Sequence, residues 1–105
     1  MIYELRIYRL HKGKKKIFLE EFRKARRFMK KYGVTFVAAW ENLDREDEFV
    51  WMRSFTSTSA RDKAIDAYYS SPEWMKIVKR IRSTIRRREI RIMKALPRSA
   101  PATRR

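Results

Sequence analysis

Residues 34–55 read VTFVAAWENLDREDEFVWMRSF. Two runs rich in Val, Phe and Trp flank a short charged connection, the pattern of a β-hairpin. Each arm carries a tryptophan, Trp40 going in and Trp51 coming back. If the two stand opposite each other, then Phe36, Trp40, Trp51, Arg53 and Phe55 share one face of the ribbon.

Upstream, Ile2 to Leu10 alternates, with Tyr3, Leu5 and Ile7 on one face and Ile2, Glu4, Arg6, Tyr8 and Leu10 on the other. A period of two predicts a strand whose Tyr3, Leu5, Ile7 face meets the helices. From Lys14 to Tyr32 apolar residues recur at Phe18, Phe22, Ala25, Met29 and Tyr32, one stripe of an amphipathic helix. Gly33 follows where a C-cap glycine belongs. Downstream of the hairpin, Ser59 and Asp62 form a capping-box pattern ahead of a helix through Ala60, Ala64, Ala67 and Tyr68. Ser71 and Pro72 then start another helix, with Trp74, Ile77, Val78 and Ile81 inward. A last strand runs from Thr84 to about Leu96, with Ile90 and Ile92 on one face.

The order strand, helix, strand, strand, helix pair, strand is that of an α+β ferredoxin-like plait (βαββαβ), a four-stranded antiparallel sheet with its helices on one face. Residues 1–97 form this domain and residues 98–105 a basic, flexible tail. The expected register leaves an aromatic-rich face without helices, larger than soluble monomers expose. That predicts a homodimer in which two sheets close into a barrel-like core.

The chain contains no cysteine and one histidine, His11, at the first strand-to-helix turn. Disulfides and thiolate chemistry are excluded, and a haem or metal site lacks a second His or Cys ligand; neither cofactor nor metal is expected. A Ser-His-Asp set has no credible histidine and a Gly-rich phosphate loop is missing. The opening MIYELRIYRL is too charged for a secretory signal and no stretch reaches a membrane span, which fits the cytoplasm.

Charge is the unusual property: 28 Lys and Arg against 12 Asp and Glu, a net +16. Residues 1–31 hold 12 basic and 3 acidic side chains, residues 32–75 hold 4 and 8, and residues 76–105 hold 12 and 1. The hairpin thus occupies the one acidic third, and the two helix-bearing ends are basic.

Several short motifs together resemble the NIPSNAP family: IYELRIYRL at 2–10, Gly13-Lys14, Tyr32-Gly33, Trp40, Phe49-Val50-Trp51, Ser59-Ala60-Arg61-Asp62 and Ser71-Pro72-Glu73-Trp74. The likeness spans roughly positions 2 to 75. It implies a dimeric α/β barrel built from ferredoxin-like protomers, with cofactor-independent monooxygenases among its relatives by fold. It implies no agreed reaction; an enzyme of this kind would be monooxygenase-like or isomerase-like. The chain departs from the family at Ala38-Ala39, where a glycine is expected, and in its basic C-terminal region.

Two functions from different classes follow. In the first, a barrel cleft takes a small aromatic or anionic molecule between Arg6, Tyr8, Trp40, Trp51 and Arg53, with Glu4 as base and Arg6 as a second catalytic candidate. Glu4, Arg6 and Arg53 also fit a purely structural ion-pair network. In the second, Lys24, Arg27, Lys79, Arg82, Arg86, Arg87 and Arg88 form a basic surface for nucleic acid or an anionic membrane. A solvated charged surface explains the same residues.

Overall fold

A computed structural model describes residues 1–99. The elements are β1 (Ile2–Leu10), α1 (Lys15–Arg27), a 3-10 turn (Lys30–Tyr32), β2 (Thr35–Glu41), β3 (Glu48–Phe55), α2 (Thr58–Tyr69), α3 (Pro72–Ser83) and β4 (Ile85–Lys94). The strands form one antiparallel sheet in the order β2-β3-β1-β4, the expected ferredoxin-like topology. Residues 100–105, most of the expected tail, lie outside the described residues.

Local chemistry sets the boundaries. The α1 stripe is buried at Phe18, Phe22 and Ala25, and the helix ends four residues after Arg23 rather than running to Tyr32. Gly33, at φ +85°, closes the 3-10 turn in the left-handed region, with its α-carbon facing Ala64. Ser57, not Ser59, caps α2: its Oγ accepts from the Ala60 N–H. Ser71 caps α3 through the Trp74 N–H, and Pro72 takes the first helical position. Among the described residues no helix is long and apolar enough to cross a membrane.

The face assignment is reversed from the sequence expectation. Tyr8, Leu10, Phe49, Trp51 and Phe55 pack against α1 and α3, and Glu4, Arg6 and Arg53 lie on that same helix-covered side. Tyr3, Leu5 and Ile7 point away from the helices. Aromatic bulk on β3 decides this. Phe18 stacks on Phe22, and Phe22 meets Phe49 and Trp51 edge-on, at 4.9 and 5.2 Å between ring centroids. On β1 both faces are apolar enough to go inward, so alternation alone could not choose.

The tryptophans do not stand opposite each other. Ala39 pairs with Trp51 and Trp40 with Val50, because the register shifts between Phe36 and Ala38. That irregularity moves Trp40 to the helix-free face, where it is 48% exposed, while Phe36 stays inside and stacks on Trp51.

Candidate functional site

At the centre of the covered face three arginines converge on one carboxylate. Register brings Glu4 opposite Arg53 across β1 and β3. Arg53 donates to Glu4 Oε1 from Nε (3.0 Å) and Nη2 (2.7 Å), and Arg61 of α2 donates to Oε2 at 2.8 Å. Arg6 Nη1 reaches Oε1 at 2.5 Å. Glu4 is wholly buried, and Arg6 and Arg53 nearly so. Arg61 also reaches Asp62 at 3.5 Å, so three cations face two carboxylates and one positive charge is left over in a space where charge is costly.

The two buried arginines differ in what they have left to offer. Arg53 spends its third nitrogen on the Tyr69 hydroxyl at 3.0 Å. Arg6 donates from Nε to the Tyr8 hydroxyl at 2.7 Å, and its Nη2 has no acceptor among the described residues. Burial works against the Arg6 charge, but the neighbouring Tyr8, Tyr69 and Glu4 oxygens more than compensate and hold it firmly protonated. For Glu4, burial raises the pKa; attraction to Arg53 and the hydrogen bonds from Arg61 and Arg6 outweigh it, and the carboxyl sits below its ordinary value. A carboxylate so saturated is a poor proton acceptor. Glu4 organises the arginines around itself, and its lowered pKa works against the general-base role that the sequence suggests.

Beside this cluster a cavity opens between sheet and helices. Arg6, Tyr8 and Trp51 form its sheet side; Tyr69, Trp74 and Arg82 stand among its helix-side residues, and Arg88 of β4 closes the rim. Its enclosed volume is about 30 Å³, room for a water molecule, and it is open on one side. No carboxylate, side-chain amide or imidazole lines it. Trp51 is buried, and its indole Nε1–H has no acceptor among the described residues. The Tyr8 and Tyr69 oxygens already accept from arginines, so their protons point to donor roles. The polar lining is thus composed of donors, set among aromatic walls.

Of the five expected binding residues, the structure brings four together. Arg6, Tyr8 and Trp51 line the cavity, Arg53 lies behind them fixed on Glu4, and Trp40 is on the opposite face of the sheet. Arg61 and Tyr69 were missed. The signal was available in the α2 stripe Arg61, Ala64, Tyr68, whose spacing of three and four places Arg61 on the buried side of the helix. His11 lies instead in a separate open concavity with Lys12, Lys15 and Arg86. The described residues contain no group of three or more His, Cys, Asp or Glu placed to hold a metal ion.

The expected basic surface is dispersed. Lys24 pairs with buried Glu21, Arg86 approaches Asp47, and Arg87 pairs with Glu89. Arg82 and Arg88 line the cavity, leaving Arg27 and Lys79 as exposed helix cations.

The NIPSNAP family model matches residues 3–100. The chain belongs to the NIPSNAP family. Among solved structures it is similar to a NIPSNAP family protein with unknown function from Agrobacterium tumefaciens, at 26% identity and TM-score 0.81, covering 90% of this chain and 87% of the other. A NIPSNAP domain protein from Burkholderia xenovorans is 18% identical, with TM-score 0.84 and coverage of 97% and 100%. The cofactor-independent oxygenase SnoaB from Streptomyces nogalater shares the fold at 15% identity, TM-score 0.69 and coverage of 90% and 92%. Comparison with curated proteins returns no match. The NIPSNAP membership and the ferredoxin-like fold are both as the sequence motifs implied.

Proposed function

We propose that this NIPSNAP protein is a homodimeric, cytoplasmic barrel that binds a small aromatic anion in the cleft between sheet and helices. One observation carries the reading. The cavity is aromatic and its polar side chains are donors, with Arg6 and Trp51, whose N–H has no acceptor among the described residues, on the same wall. Buried donors without acceptors are costly, and an oxyanion satisfies several at once. The one positive charge that Glu4 and Asp62 leave over favours the same ligand. If chemistry occurs here, these residues suit stabilising a developing enolate or phenolate oxygen, not abstracting a proton.

Dimerisation is supported by the opposite face. Leu5 pairs with Met52 and Ile7 with Val50, and these four join Trp40 and Met93 as an apolar surface outside the core. Binding of nucleic acid or an anionic membrane through the helices has less support, because Lys24, Arg86 and Arg87 are paired and Arg82 and Arg88 line the cleft, which leaves only Arg27 and Lys79 of the seven as free helix cations among the described residues.

The test is calorimetric titration with benzoate and with its neutral isostere benzamide at fixed ionic strength. Benzoate is expected to bind with Kd on the order of 1 mM, about 4 kcal/mol, and benzamide at least tenfold more weakly. Arg6→Gln should abolish the difference, and Arg6→Lys, which keeps the buried charge, should retain part of it. Equal affinity for the two compounds, or binding of neither, contradicts the proposal.

A further inference from the structure

Resting on that reading, we infer that the natural ligand has two anionic ends, an inner one held at Arg6 and an outer one held at the mouth by Arg82 and Arg88. The inference comes from which arginines have carboxylate partners and which do not. Along the C-terminal part of the chain, Arg80 pairs with Glu21, Arg86 with Asp47, and Arg87 and Arg91 with Glu89. Arg82 and Arg88, the two that line the cleft, have no carboxylate partner among the described residues.

Geometry puts both ends within one small molecule's reach. Arg88 pairs with Tyr8 and Ile90 with Arg6 across β1 and β4, so Arg6 and Arg88 are diagonal neighbours on the same face. Diagonal residues of an antiparallel pair have backbones roughly 7–8 Å apart. Arg82, near the end of α3, lies over the Trp74 ring at 5.9 Å and reaches the mouth from the helix side. A flat body in the cleft between Trp51 and Trp74 would therefore present one end to Arg6 and the other to the pair at the rim. The ligand class is a conjugated or aromatic molecule with acidic groups at opposite ends, such as a dicarboxylate.

The experiment titrates the full chain with benzoate, terephthalate and phthalate at matched ionic strength. Terephthalate carries its two carboxylates at opposite ends of the ring; phthalate carries the same charge on adjacent carbons. Terephthalate should bind at least tenfold tighter than benzoate, and phthalate should gain no more than about a third of that. Replacing both rim residues (Arg82→Gln with Arg88→Gln) should bring the terephthalate-to-benzoate ratio close to one. A charge-matched control, Arg27→Gln with Arg86→Gln, should leave that ratio intact. If phthalate equals terephthalate, or the ratio survives the rim substitutions, the two-ended ligand is overturned while the single-anion cleft stands. If benzoate itself does not bind, both fall.

Discussion

The face of the sheet covered by helices carries Glu4, Arg6 and Arg53, whereas the face left bare carries Leu5, Ile7, Val50 and Met52. A domain that buries its charges and leaves these aliphatic residues half-exposed has two things to complete. The inner face holds positive charge beyond what Glu4 neutralises, which an anion would offset. The outer face holds apolar surface that a second sheet would cover. The difference between the faces is the basis for proposing ligand binding on one and assembly on the other.

The largest way to break the comparison is to remove the one inner anion. Glu4→Gln leaves Arg6 and Arg53 without a carboxylate and Arg61 with only the exposed Asp62. Breaking a buried ion pair in this way costs about 3–5 kcal/mol. Urea denaturation should show a fall of that size in the midpoint-derived stability, and a loss under about 1 kcal/mol would mean that the cluster is less dependent on Glu4 than its hydrogen bonds imply.

The outer face is probed by placing like charges on the directly opposed pair Leu5 and Met52. Leu5→Glu with Met52→Glu should shift sedimentation equilibrium from dimer toward monomer, weakening association at least tenfold, about 1.4 kcal/mol. Far-UV circular dichroism should stay native. An unchanged dimer would place the interface elsewhere.

The smallest effect lies away from both faces, at the junction of the 3-10 turn with α3. Glu73 accepts from Lys31 Nζ at 2.8 Å and from the Tyr32 hydroxyl at 2.6 Å. The hydrogen bonds from Lys31 and Tyr32 pull its carboxyl from the ordinary 4.5 down to about 2. A lowered folded-state pKa stabilises the fold above 4.5, and that contribution is lost as pH falls from 4.5 toward 2. Glu73→Gln should therefore lower Tm at neutral pH and converge with the parent chain near pH 2, as thermal melts across that range will show. A constant Tm offset at every pH would deny the titration a role.

Much of the fold was legible in the sequence because its signals are local. The α1 stripe, the Ser71-Pro72 start and the hairpin each follow from near-neighbour chemistry. What was not legible depends on partners distant in sequence. Tyr3, Leu5 and Ile7 look as fit for a core as Tyr8 and Leu10, and only the packing of Phe49 and Trp51 on α1 resolves the choice. The irregularity after Phe36 separates Trp40 from Trp51 although nothing in VTFVAAW marks it. In the site, Glu4, Arg6 and Arg53 were found by their odd place in a strand. Arg61 was not, because its bond to Glu4 spans 57 positions.

The two faces each own a tryptophan, so the indoles report separately on an anion bound to either face. Trp51 lies inside with its N–H unpartnered, Trp40 lies outside, and Trp74 is the third. Indole N–H resonances assigned by single Trp→Phe replacements would be followed by NMR during titration with benzoate. The Trp51 resonance should move downfield to saturation with benzoate and stay fixed with benzamide, as its proton gains a charged acceptor. A stationary Trp51 resonance, or a shift confined to Trp40, would contradict an anion site on the helix-covered face.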